Sequence, residues 1–162
     1  MIWLSLLFIA VGLCFTFVLL FGAPYLPTRR QQIEAALELA DLKRGETMLE
    51  LGCGDGRVLI LAARRGIKSV GYELNPLLAF TAWLRTRKYR NEVQIIWGDF
   101  WRQDWPEHQA IFVFLLPKLM PKLNNKIMQS KHKPVKLVSY AFEVPDRQPV
   151  AEKAGILLYL YK

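Results

Sequence analysis

Cysteine and histidine are nearly absent: the chain has two of each in 162 residues. Cys14 lies in an apolar run and Cys53 in a glycine-rich segment, so they form no disulfide framework of the kind that staples small secreted domains. His108 and His132 have no cysteine or carboxylate at ligand spacing; no metal is expected, and both histidines are expected at the surface. Charge of one sign is also short, 14 acidic residues against 22 basic ones, giving a formal net charge of +8. That balance permits an anionic lipid surface or a nucleic acid as partner. No nucleic-acid motif appears, and nucleic acid is not expected. The length is enough for one domain.

No Lys or Arg precedes the first apolar run, residues 2–23, which holds no charge at all. Such a run is long enough to cross a bilayer core as a helix. A cleaved leader would want a basic start and a small residue at the outer position before the cut, whereas apolar residues follow Met1 directly and Phe21 fills the outer position of Phe21-Gly22-Ala23. A membrane anchor is therefore expected over residues 1–23, with Trp3 and Tyr25 at its two ends as interfacial aromatics. Residues 24–30 form a linker, stiffened by Pro24 and Pro27, and 31–162 form the body. Arg29 and Arg30 follow the run closely, which orients the body towards the cytoplasm in a single-pass arrangement.

In the body, strand patterns alternate with helix patterns. Thr28 is the expected N-cap of a first helix carrying Ile33, Ala36, Leu37 and Ala40 on one face and ending at Lys43, Arg44 and Gly45. Strands are expected over 47–51, 69–72, 93–97, 110–116, 136–142 and 156–161. Helices are expected over 57–65, 76–88 (with Asn75 as N-cap and Pro76 at N1) and 117–129, and 143–155 is expected to be irregular. The alternation predicts an α/β fold with a Rossmann-like, doubly wound parallel sheet following the membrane helix.

The most informative string is Glu50-Leu51-Gly52-Cys53-Gly54-Asp55-Gly56-Arg57. An apolar strand turns through alternate glycines into a helix, which lets a ligand approach the backbone and meet helical N–H groups. The spacing departs from the dinucleotide fingerprint, because Arg57 stands where that pattern has glycine. Asp55 would repel a pyrophosphate, whereas Glu50 and Asp55 suit a cation. Glu73 ends the second strand, 19 residues after Gly54, where a carboxylate can accept both ribose hydroxyls. Asp99 either accepts from an adenine amino group, with Phe100 or Trp97 against the ring, or simply forms a turn. Cys53 is a small loop filler. Trp101 and Trp105 wall the site, or pack on the body or a membrane interface. Lys118, Lys122 and Lys126 make one helical stripe, either solvated or facing anionic lipid.

The glycine string resembles the first motif of class I S-adenosylmethionine methyltransferases. With Tyr25-Leu26-Pro27-Thr28 before it and Gly71-Tyr72-Glu73-Leu74-Asn75-Pro76 after it, residues 24–144 are similar to one branch of these enzymes. That branch is the small protein-lysine methyltransferases, including membrane-anchored ones acting on ATP synthase c-subunit or adenine nucleotide translocase and short archaeal ones. The resemblance implies S-adenosylmethionine as cofactor, a lysine side chain as acceptor, and cofactor contacts at Tyr25, Thr28, Gly52, Glu73 and Asp99. The full candidate cofactor-binding set is Tyr25, Thr28, Glu50, Gly52, Cys53, Gly54, Asp55, Gly56, Glu73, Asn75, Asp99 and Phe100. No catalytic base is identified. Methyltransferases acting on base amines or glutamine amides carry an Asn/Asp-Pro-Pro-aromatic string after strand four, where this chain has Phe114-Leu115-Leu116-Pro117. The expected protein is a monomeric methyltransferase of the membrane, with a protein substrate, itself integral to the membrane, and membrane lipid as partners. A lipid or quinone-like acceptor, or a non-catalytic cofactor-binding assembly module, are the alternatives.

Overall fold

The computed structural model describes residues 2–6, 8, 9, 12 and 26–162. Seven strands form one sheet: β1 (Thr47–Leu51), β2 (Lys68–Glu73), β3 (Val93–Trp97), β4 (Ala110–Val113), β5 (Val135–Tyr140), β6 (Ala151–Lys153) and β7 (Ile156–Tyr161). The order is β3-β2-β1-β4-β5-β7-β6, parallel from β3 to β5, with β7 and β6 joined antiparallel. The sheet is thus mixed rather than wholly parallel. Its helices are α1 (Arg30–Ala40), α2 (Arg57–Arg64), α3 (Pro76–Thr86) and α4 (Met120–Met128).

Side chains alternate across the central strands, as the pleat requires. Leu49, Leu51, Ile111 and Val113 pack with Met120, Leu123 and Ile127 of α4. Met48, Ala110, Phe112 and Val138 pack with Ile33, Ala36, Leu37 and Ala40 of α1 and with Val58 and Ala62 of α2. Apolar residues at i, i+3, i+4 and i+7 on α1 account for its seat on the sheet. The chain leaves β1 towards β2 on one side, while β4 lies on the other. This switch point opens a crevice beyond the carboxyl ends of β1 and β4.

Several expectations are corrected. The membrane helix expected over 2–23 is not supported: the described residues of that run are helical and exposed, but among the described residues no helix is long and apolar enough to cross a membrane. The single-pass placement and the cytoplasmic orientation fall with it, because both presuppose a span. Cys14, Pro24 and Tyr25 lie outside the described residues. Thr28 is not the cap of α1. Arg29 holds that position without a side-chain bond, and α1 ends at Ala40 on a left-handed Asp41. The strand expected over 110–116 stops at Val113, because Phe114, Leu115 and Leu116 turn to line a cavity. The irregular stretch 143–155 contains β6, an edge strand bonded only to β7. His108 is buried rather than exposed, its Nδ1 2.7 Å from the Pro106 carbonyl and its ring edge-on to Trp105 and His132.

Candidate active site

The loop between β1 and α2 is built by glycine. Gly52, Gly54 and Gly56 have φ of +88°, +54° and +76°, where any side chain would strain the backbone. A Cβ on Gly52 would meet nothing within 4 Å, whereas one on Gly56 would lie 3.2 Å from Ala82 Cβ and Thr86 Cγ2. The first glycine therefore leaves open space and the third lets α3 pack close. Gly52 N and Cys53 N both donate to the Tyr72 carbonyl, at 2.9 and 2.8 Å. Gly54 N donates to Glu73 Oε2 at 2.8 Å, and Asn75 N to Glu73 Oε1 at 2.8 Å. One carboxylate at the end of β2 thus fixes both its own turn and the glycine loop. Each of its oxygens retains a further lone pair for a ligand hydroxyl.

The sequence suggests free N–H groups at the α2 terminus for a polar or anionic part of the ligand. The structure uses several of them internally: Gly56 N donates to the Cys53 carbonyl and Arg57 N to Asp55 Oδ1. The crevice instead collects acid. A cavity of about 650 Å³ is lined by Glu50, Asp55, Glu73 and Asp99, together with Thr28, Gly52, Cys53, Gly54 and Phe100. Asp55 is held by Arg57 at 2.8 Å and by Arg85. Burial pushes its carboxyl upward, but these guanidiniums outweigh burial and leave its pKa lowered. Glu73 is raised by burial, opposed by backbone N–H groups. Glu50 differs from both. It is buried, its Oε2 has no hydrogen-bond partner among the described residues, and burial followed by the charges of Asp55 and Glu73 drives its pKa well above the carboxylate range. An orphaned buried carboxyl facing a cavity fits a cationic ligand group there.

One wall of the cavity is apolar and aromatic, with Trp101, Phe112, Phe114, Leu116, Leu119 and Phe142, while Arg57, Arg102 and Lys122 are the cations that also line it. Phe114 lies 4.4 Å from the Tyr140 ring and stacks on Phe142 at 6.1 Å.

Nine of the twelve candidate residues are brought to this cavity. Gly56 and Asn75 do not line it. Gly56 serves helix packing, and the Asn75 side chain accepts from Leu77 N and Leu78 N as the cap of α3. Tyr25 lies outside the described residues. Asp99 is a turn former, its Oδ1 accepting from Trp101 N at 2.9 Å, and it also lines the cavity. Trp101 also lines the cavity, while Trp105 is buried in the core. Lys122 and Lys126 lie over the Trp101 and Trp105 rings at 4.3 and 4.8 Å, and Lys126 Nζ donates to the Trp101 and Gln103 carbonyls. Two lysines of the stripe, Lys122 and Lys126, thus fasten the loop after β3. Cys53 is buried, and its thiol is raised by burial, then by Glu50 and Glu73. Among the described residues no group of three or more metal-ligating side chains converges.

Sequence reasoning missed the parts played by Arg85, Gly71 and Phe142, and read Lys122 only as solvated or facing lipid rather than at the cavity wall. Arg85 carries no local signal, standing 30 residues from Asp55. Gly71 had one, a glycine inside a strand, which marks a close approach: a Cβ there would lie 2.5 Å from Leu59 Cδ1 and 2.9 Å from Cys53 Sγ.

Residues 50–151 match the family model of the ANTKMT methyltransferase domain. The chain belongs to that family. It is 29% identical over 130 residues to the ATP synthase c-subunit lysine N-methyltransferase of Homo sapiens, covering 78% of this chain and 54% of that protein. It is 30% identical over 130 residues to a protein-lysine N-methyltransferase of Saccharolobus islandicus (strain REY15A), covering 78% and 81%. The chain spans little more than half the length of the vertebrate relatives it matches. A crystal structure of an RNA methyltransferase from Salinibacter ruber in complex with S-adenosyl-L-homocysteine superposes with a TM-score of 0.77 at 28% identity, covering 84% of this ANTKMT-family chain and 92% of that one.

Proposed function

We propose that this chain is an S-adenosylmethionine-dependent methyltransferase whose acceptor is a lysine side chain of a protein, with integral membrane proteins as the substrate class. The observation that carries the reading is Glu50. A buried carboxyl beneath a glycine loop, with one oxygen lacking a partner among the described residues, is costly to the protein alone and is satisfied by a ligand that brings positive charge. When bound, S-adenosylmethionine supplies a sulfonium-activated methyl group and its own α-ammonium. Gly52 leaves room for the ligand at the backbone, and Glu73 has lone pairs for the ribose hydroxyls. Asp99 would accept from the adenine amino group, with Phe100 against the ring. Thr28 closes the site, its carbonyl accepting from Arg57 Nη1 at 3.4 Å.

The aromatic part of the cavity serves the acceptor. A lysine amine has to be neutral to attack, and its free pKa is about 10.4. Phe114, Phe142 and Trp101 exclude water from it, and burial disfavours the ammonium. Lys122 at the same wall adds like-charge repulsion. The amine therefore sheds its proton to solvent on entry, without a dedicated base. Holding amine and methyl donor in line supplies about 7–11 kcal/mol of the barrier reduction at best.

The names of the relatives support the lysine acceptor. Calorimetric titration with S-adenosylmethionine and S-adenosylhomocysteine tests the reading. Wild type binds both, and Gly54→Arg binds neither; absence of binding by wild type contradicts the proposal.

A further inference from the structure

Helix α3 is inverted relative to an ordinary surface helix. It meets the rest of the fold through its small residues, with Ala79, Ala82 and Thr86 buried. Its large apolar residues point outward: Phe80 is 58% exposed and Trp83 51%, and Leu77 and Leu84 are exposed beside them. The Phe80 and Trp83 rings stack at 5.8 Å, so they form one continuous apolar patch. Ala82 is held to its size by Gly56, whose missing Cβ would sit 3.2 Å away. The packing that brings α3 against the glycine loop thus uses the small residues and leaves the large ones about half exposed. Scattered single exposed apolar residues are ordinary, whereas four on one helix are not.

The charge beside this face has one sign. Residues 76–90 contain Arg85, Arg87, Lys88 and Arg90 and no acidic residue. Arg87 lies over the Trp83 ring at 5.8 Å. A groove lined by Trp83, Leu84, Val93 and Ile95 has these four basic residues along its walls. Leucine, phenylalanine and tryptophan on one face with Lys and Arg at its edge is the pattern of a helix lying in the plane of an anionic bilayer surface. There the apolar side enters the headgroup boundary and the cations meet phosphates. A stretch of nucleic acid would meet the cations equally well but would leave Leu77, Phe80 and Leu84 without a match. We propose that α3 and its basic edge form a peripheral contact with an anionic lipid bilayer. The contact lies next to Leu78, which lines the cavity, so it sets the mouth of the cavity at the membrane surface. It does not rest on the methyl-transfer reading, and it requires no membrane-crossing segment.

The test is co-sedimentation of the full chain with phosphatidylcholine vesicles with and without phosphatidylserine, compared among wild type, Phe80→Ser/Trp83→Ser and Arg87→Glu/Lys88→Glu/Arg90→Glu. Thermal unfolding verifies that each variant is folded. Wild type is expected to bind the anionic vesicles and to release them as salt rises. The charge-reversed variant is expected to bind on the order of tenfold or more weakly, and the serine variant to lose binding to both vesicle types. All three proteins keep residues 2–23, so undiminished binding by the variants would assign the lipid contact to another part of the chain and overturn the proposal. Two other results would overturn it: preferential binding of a single-stranded RNA lost in the same variants, or a dimer in sedimentation that only the serine variant abolishes.

Discussion

Glu50 bears the largest consequences of any one residue, because it stands at the end of a buried strand with one carboxyl oxygen unsatisfied among the described residues. Its pKa in the fold alone is raised, first by burial and then by Asp55 and Glu73. The stability that follows from a raised carboxyl is fully present below the ordinary carboxylate pKa, about 4.3 in the unfolded chain. It is lost progressively as pH rises from there through the raised value. Glu50→Gln is therefore expected to raise the melting temperature at neutral and alkaline pH and to flatten the decline in stability above the ordinary carboxylate range. The same substitution is expected to weaken S-adenosylmethionine binding. A bound cation favours the ionised form, so wild type releases a proton on binding and gains affinity as pH rises. Calorimetry in buffers of differing ionisation enthalpy measures that proton; its persistence in Glu50→Gln would locate it elsewhere. Glu50, Glu73 and Asp99 were legible in the sequence because strand ends and glycine turns carry local signals. The buried state of His108 and the pairing of Asp55 with Arg85 were not, because both depend on contacts made by distant segments.

At the level of elements, the packing of β2 against the glycine loop depends on a missing side chain. Gly71→Ala places a methyl group against Leu59 and Cys53, an overpacking expected to cost about 1–3 kcal/mol in chemical denaturation. Cys53→Ala removes the sulfur from the crowded position, so the double variant is expected to lose less than the sum of the single ones. Strict additivity would mean that the two positions do not share that space. The loop after β3 is a second such case. Lys126→Met removes the donor to the Trp101 and Gln103 carbonyls and the cation over Trp105. The expected cost is about 1–2 kcal/mol, with faster hydrogen exchange over 99–105 and little change in α1. The extents of β1, β3 and β7 followed from apolar runs. The end of β4 and the presence of β6 did not. An apolar residue serves a strand and a cavity wall equally well at 114–116, and Ala151-Glu152-Lys153 has too little apolar character to announce an edge strand.

For the molecule as a whole, a mixed seven-stranded sheet sets an acidic crevice and an aromatic wall side by side, in a chain of the ANTKMT methyltransferase domain family. The proposed function gives the two halves of the cavity separable duties. Phe142→Ala, on the apolar side, is expected to leave the dissociation constant for S-adenosylhomocysteine within about twofold while slowing methylation, whereas Gly54→Arg abolishes both. Parallel loss of both in Phe142→Ala would merge the two subsites into one. The decisive measurement is transfer of isotope-labelled methyl from S-adenosylmethionine to membranes incubated with the wild-type chain or with Gly54→Arg, followed by fractionation and peptide mapping. Label is expected on a lysine of a membrane protein with wild type, and none with the variant. Label confined to lipid or nucleic acid, or no transfer by wild type, would contradict the proposed activity.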